Sequence, residues 1–128
     1  YGNHQRDFTY IDDIIKSIIK LIQLPPPKRN TSYNTSKPDG SYSDAPWRIY
    51  NIGNNETISL TKFIKIIEEV LGKKAKKKFL GMQLGDVKKS YSSTGKLKKI
   101  SGFKPYTPLN KGIEEFIKWY KDYYNVSS

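Results

Sequence analysis

Few side chains in this sequence have the chemistry to bind or transform a ligand. Arg6 is one: a guanidinium can grip an anion such as phosphate through paired, charge-assisted hydrogen bonds. Its plain alternative is a surface arginine paired with its neighbour Asp7. The run Gln83-Leu84-Gly85-Asp86 is another. Glycine there lets the backbone approach a ligand closely, Asp86 is suited to accept hydrogen bonds from hydroxyl groups, and Gln83 can donate one without adding charge. Read plainly, the run is an ordinary turn. Tyr33-Asn-Thr-Ser-Lys37 has Tyr-x-x-x-Lys spacing, which on a helix would place phenol and ammonium on one face. It lies in a Pro- and Ser-rich stretch, so it is read as a chance match, and no residue of this chain is assigned to catalysis. His4, the single histidine, offers neither a relay nor a zinc cluster and is read as exposed and incidental. Lys73, Lys74, Lys76, Lys77 and Lys78 form either an anion patch or, more plainly, a solvated edge strand.

Composition narrows the classes. The 128 residues suit one small domain with a modest core. Absence of cysteine excludes disulfides, thiolate metal sites and cysteine nucleophiles. The net charge of +11 suggests an anionic partner: nucleic acid, a membrane surface or a phosphate-bearing metabolite. The bland reading is that Lys, Ile, Asn and Tyr are abundant together because of A+T-rich coding, with most Lys solvated. No apolar run approaches the roughly 20 residues of a membrane span. No signal peptide opens the chain, which starts at Tyr1-Gly2. The expectation is therefore a cytoplasmic protein without a membrane partner, whose sequons at Asn30, Asn34, Asn55 and Asn125 are accidental.

The elements that must position these residues follow from periodicity. Residues 6–10 predict a short strand or extended lead-in, and Thr9 with Asp12 resembles a capping box. Isoleucines at 11, 14, 15, 18, 19 and 22 predict a helix over about 10–23, stopped by Pro25-Pro26-Pro27. Residues 25–46, with five prolines, predict a long flexible surface insertion. A strand is expected at 48–52 and a helix at 59–71, capped by Ser59 and closed by Gly72. An edge strand is expected at 75–80, a loop at 81–92 and a short helix near 94–100 ending at Gly102. The last helix is expected to take Thr107 as cap and Pro108 as its first residue, with Leu109, Ile113, Phe116, Ile117 and Tyr120 inward. The class is α/β, mostly helical with two or three short strands, too few for a self-sufficient doubly wound sheet.

Three segments in order carry a family resemblance: Arg6-Asp7-Phe8-Thr9-Tyr10-Ile11-Asp12-Asp13, Ile49-Tyr50-Asn51-Ile52-Gly53-Asn54, and Met82-Gln83-Leu84-Gly85-Asp86-Val87 with Ser93-Thr94 and Ile100-Ser101-Gly102-Phe103-Lys104-Pro105. Together they resemble the C-terminal lobe of extended short-chain dehydrogenases acting on nucleotide sugars, most closely the UDP-glucuronate 4-epimerases of capsule biosynthesis. The resemblance implies a lobe, residues 1–128, that binds the nucleotide diphosphate of a UDP-sugar. It implies Arg6 on the diphosphate, Asp86 on the ribose, and Gln83 where many relatives place a phosphate-binding arginine. It also implies a separate Rossmann half, absent here, that binds NAD, supplies the catalytic Tyr–Lys pair and mediates homodimerisation. This chain has no glycine-rich dinucleotide fingerprint, so no cofactor is expected on it. Competing readings are a basic nucleic-acid-binding module, a nucleotide-sugar dehydratase lobe, and a dimerisation piece built on the Ile-rich helix. The aromatics fall mainly on helix faces and near the C-terminus, which disfavours a base-stacking surface, and no specific nucleic-acid partner is expected.

Overall fold

Local signals set the helices. In the computed structural model, which describes Gly2 and residues 4–126, the order is β1 (Gln5–Arg6), α1 (Ile11–Ile22), β2 (Ile58–Ser59), α2 (Leu60–Leu71), α3 (Gly95–Ser101) and α4 (Leu109–Tyr124). Ser59 Oγ accepts from the Lys62 N–H and starts α2; Gly72, at φ +63°, closes it in the left-handed region that glycine enters at little cost. Gly102 closes α3 in the same way. The cap of α1 is Tyr10, with no side-chain hydrogen bond, so the Thr9–Asp12 capping box does not form. Helix α4 begins one residue later than expected, with Pro108 as its cap.

The strands depart further from expectation. Strand β1 pairs antiparallel with β2, Gln5 opposite Ser59 and Arg6 opposite Ile58, and Gln5 forms a parallel bridge to Lys89. Residues 48–52 and 75–80 have β-forming sequences but are not strands. Strand propensity is realised only where a neighbour completes the ladder, and the first segment finds only the Tyr42–Arg48 bridge. Loop 25–46 has no helix. Its Asn30, Asn34 and Asp39 side chains cap local turns, Tyr33 meets Tyr42 edge-on at 5.5 Å, and Lys96 of α3 pairs with Asp39 at 2.7 Å. That lysine holds the Asp39 carboxyl well below the usual carboxylate range, with help from the Ser41 hydroxyl and N–H. Tyr33 and Lys37 lie outside any helix, so the Tyr-x-x-x-Lys match lacks the geometry catalysis needs.

The core is small and one face of the molecule is open. Leu97, Ile58 and Ile113 are buried, Phe8 stacks on Phe63 at 4.2 Å, and α2 packs on α4. Helix α1 turns its polar stripe inward. Ser17 and Asp13 are fully buried, and Asp13 Oδ2 accepts the Tyr106 and Thr107 N–H groups at 3.1 and 2.8 Å. Its isoleucines at 11, 15, 18, 19 and 22 face solvent. The chain exposes 9856 Å², against about 7,000 Å² for a compact monomer of this mass. Apolar faces of this extent mark an interaction surface. The isolated chain is therefore expected to self-associate. Sedimentation velocity across a hundredfold concentration range should show weight-average mass rising; a constant monomer mass would mean the isoleucine face is covered in solution.

Candidate diphosphate-binding site

Arg6 and Asp86 are 80 positions apart and meet because of backbone pairing. The Gln5 N–H donates to Lys88 O at 2.9 Å, and the Ser90 N–H donates to Gln5 O at 3.1 Å. This lays residues 88–90 beside β1 and brings the preceding turn over Arg6. The turn closes through the Asp86 N–H and Gln83 O at 3.2 Å, with Gly85 third at φ +85°. Only glycine takes that conformation without strain. A Cβ on Gly85 would meet no chain atom within 4 Å, so the turn's conformation, not close packing within the chain, demands glycine.

Arg6 Nη2 donates to Asp86 Oδ1 at 2.8 Å, and Nη1 donates to Gln5 O at 3.0 Å. Asp7 is not the arginine's partner. Its carboxylate accepts the N–H groups of Asn54 at 2.8 Å and of Asn55 and Ser92 at 3.1 Å, tying β1 to two loops. Gly53 completes that junction: a Cβ there would overlap Ser92. The structure thus joins Arg6 to Asp86. It places Gln83 at the head of the same turn, exposed, where its backbone rather than its side chain makes the recorded contact.

His4 is the residue that sequence reasoning misjudged. Its side chain is only 14% exposed, and Nε2 lies 3.3 Å from Asp86 Oδ2 without making a hydrogen bond. One signal was available: positions 4 and 6 of an extended segment share a face. Asp7 and Asp13 were also unforeseen in their structural roles. The lysine run is part-neutralised by the buried Glu68, which pairs with Lys77 and Lys74. Lys77 and the Ala75 N–H lower the Glu68 pKa.

A cavity of about 370 Å³ lies elsewhere, between α2, α4 and residues 8–11. Its lining, including Phe8, Phe63, Ile113 and Phe116, carries no charge, so it offers a phosphate no counter-charge. The described residues contain no cluster of metal-ligating side chains, and no helix is long and apolar enough to cross a membrane. The chemistry open to the Arg6–Asp86 face is recognition: paired donors for an anion, beside a carboxylate for hydroxyls.

No protein-family model matches the chain. Individual proteins do. It is 40% identical over 124 residues to Protein CapI of Staphylococcus aureus, covering 97% of this chain and 37% of that protein. It is 35% identical over 123 residues to a probable UDP-glucuronate 4-epimerase of Rhizobium meliloti (strain 1021), covering 96% and 36%. The UDP-glucuronic acid 4-epimerase of Bacillus cereus, solved with UDP-glucuronic acid and NAD, superposes with a TM-score of 0.74 at 26% identity, over 96% of this chain and 34% of that one. The chain thus spans little more than a third of the length of the relatives it matches. Four helices and a two-stranded sheet match the C-terminal part of such enzymes. By sequence and fold, the chain is similar over nearly its whole length to a portion of UDP-glucuronate 4-epimerases.

Proposed function

We propose that this chain is the nucleotide-sugar-binding lobe of an NAD-dependent UDP-glucuronate 4-epimerase. The parent enzyme would serve capsule or other cell-surface polysaccharide synthesis, act in the cytoplasm and work as a homodimer. The observation that carries the reading is the pairing of Arg6 with Asp86 across 80 residues, on an exposed face. In the bound state the Arg6 guanidinium turns from Asp86 to fork across the diphosphate oxygens. Asp86 then accepts from the ribose hydroxyls, and Gln83 donates to the diphosphate or its edge. None of these groups reacts. They fix the nucleotide so that the sugar carbon is held against chemistry supplied elsewhere, and the binding energy of the remote diphosphate is used for orientation.

NAD does not fit this chain's own residues. Among the described residues no parallel strand–helix–strand unit carries a glycine-rich turn, the device that seats a pyrophosphate at a helix N-terminus. NAD and the catalytic pair are assigned to a separate Rossmann half. The open isoleucine face of α1 is assigned to docking against that half. The lobe alone binds but does not epimerise.

The test is nuclear magnetic resonance titration of the isolated chain. UDP-glucuronate is expected to bind weakly, with Kd on the order of 1 mM, and to shift the amides of residues 4–6 and 83–86. NAD is expected to shift none. Tight NAD binding, or UDP-glucuronate shifts confined to other segments, would overturn the assignment.

A further inference from the structure

A polar atom shut away from solvent without a partner demands an explanation, and His4 Nε2 is such an atom. It lies 3.3 Å from Asp86 Oδ2, while Arg6 Nη2 holds Asp86 Oδ1 at 2.8 Å. One carboxylate therefore stands between a permanent cation and a group that becomes a cation only by protonation. In the structure the guanidinium makes the aligned bond and the imidazole does not. Departure of the guanidinium would leave Asp86 without its counter-charge and bring an anion beside the ring. Both changes favour the imidazolium.

We infer that His4 is the second cation of this site: binding of a nucleotide diphosphate at Arg6 takes up a proton at His4, whose imidazolium then holds Asp86 in the guanidinium's place. The inference rests on the assignment of Arg6 and Asp86 under Proposed function. A carboxylate has about four lone-pair positions, so Asp86 can keep His4 on Oδ2 and still accept ribose hydroxyls on Oδ1. The charged groups on the segments packed around His4 are few. Arg6 is two residues along the same segment, Asp86 is on the turn, and Lys88 and Lys89 are on the bridged segment. Helix α2, whose Leu60 N–H donates to His4 O, brings only Lys62 in its first turn. An arriving diphosphate brings negative charge among these lysines.

The bound state carries one more proton than the free state, so affinity rises as pH falls through the range where an imidazole titrates, around 6.5. UDP-glucuronate is a suitable probe, because its diphosphate diester and its carboxylate stay fully ionised between pH 6 and 8. The wild-type chain should bind it about three- to tenfold more tightly at pH 6.0 than at pH 8.0, given that one linked proton sets a limit of tenfold per pH unit. His4→Gln, which cannot protonate, should bind with the same affinity at both. His4 is the only histidine, so its ring resonances are unambiguous. At pH 7 they should move towards the imidazolium position as the ligand is added. A pH-independent wild type, a slope retained in His4→Gln, or ring resonances that do not move would overturn the inference while leaving the site itself standing. Should His4→Gln fail to fold, the wild-type ring resonances decide alone. No saturable binding at either pH would overturn the assignment of the site and the role of His4 with it.

Discussion

Arg6→Ala is expected to abolish saturable binding of UDP-glucuronate to this chain over the accessible concentration range. Loss of a charge-assisted pair to phosphate costs about 1.5–3 kcal/mol, roughly ten- to a hundredfold in affinity. From a starting Kd on the order of 1 mM, that moves the midpoint beyond what titration reaches. The fold should survive. The Arg6 side chain is 30% exposed and its partner Asp86 is 40% exposed, and pairs of this kind contribute only about 0–1 kcal/mol to stability. Arg6→Lys should restore little, because an ammonium cannot span two oxygens. Asp86→Ala should cost less, about 0.5–1.5 kcal/mol for an ordinary hydrogen bond, and part of that is offset because the guanidinium no longer has a competitor. Isothermal or resonance titrations of the three variants decide it. Arg6→Ala binding within threefold of the parent would make Arg6 a surface residue and sink the reading of this face.

What the sequence revealed about this chain divides along a physical line. Helices announce themselves through near-neighbour interactions. The isoleucine period of α1, the Ser59 cap and the left-handed Gly72 are local, and the structure has each where the pattern put it. Strands depend on partners elsewhere. The run 48–52 has strand residues without a full ladder, whereas β2, two residues long, has a ladder and no readable period. The inward face of α1 was illegible for a related reason. Periodicity says that the isoleucines share a side, but Asp13 faces the core, where its carboxylate accepts the backbone N–H groups of residues 106 and 107, and Ser17 beside it donates back to Asp13 O. In the candidate site, Arg6 and Asp86 were reachable only through their resemblance to a family pattern, and the bond between them was not in the sequence at all. His4 was passed over as a lone histidine because its partner is 82 positions away.

Asp7 is where this fold and this site depend on one side chain. Its two oxygens accept three backbone N–H groups from two segments, Asn54, Asn55 and Ser92. Asn55 sits at φ +60°, a conformation that asparagine tolerates better than most residues, and its side chain accepts the Tyr91 hydroxyl at 2.7 Å. Asp7 thus holds both loops against the segment that carries His4 and Arg6. Asp7→Ala removes all three acceptors at once. Partly buried donors left unpaired cost about 1–3 kcal/mol each, and some will find water, so the expected loss is about 3 kcal/mol. That is a large share of the 5–15 kcal/mol typical of a domain, and this lobe buries less than a compact one. Asp7→Asn keeps the shape but turns an amide donor towards N–H groups, and should fall between the two. Asp12→Ala, on an exposed residue of the same stretch, should change stability by less than about 0.5 kcal/mol. Urea denaturation measures all three. Gly53→Ala is an independent probe of the same junction, since the new Cβ must displace Ser92. Under conditions where the Asp7 and Gly53 variants remain folded, both should also weaken UDP-glucuronate binding, because the strand bearing Arg6 loses its alignment with Asp86. An Asp7→Ala chain that loses less than about 1 kcal/mol and binds normally would mean that the strand is positioned by its ladder alone.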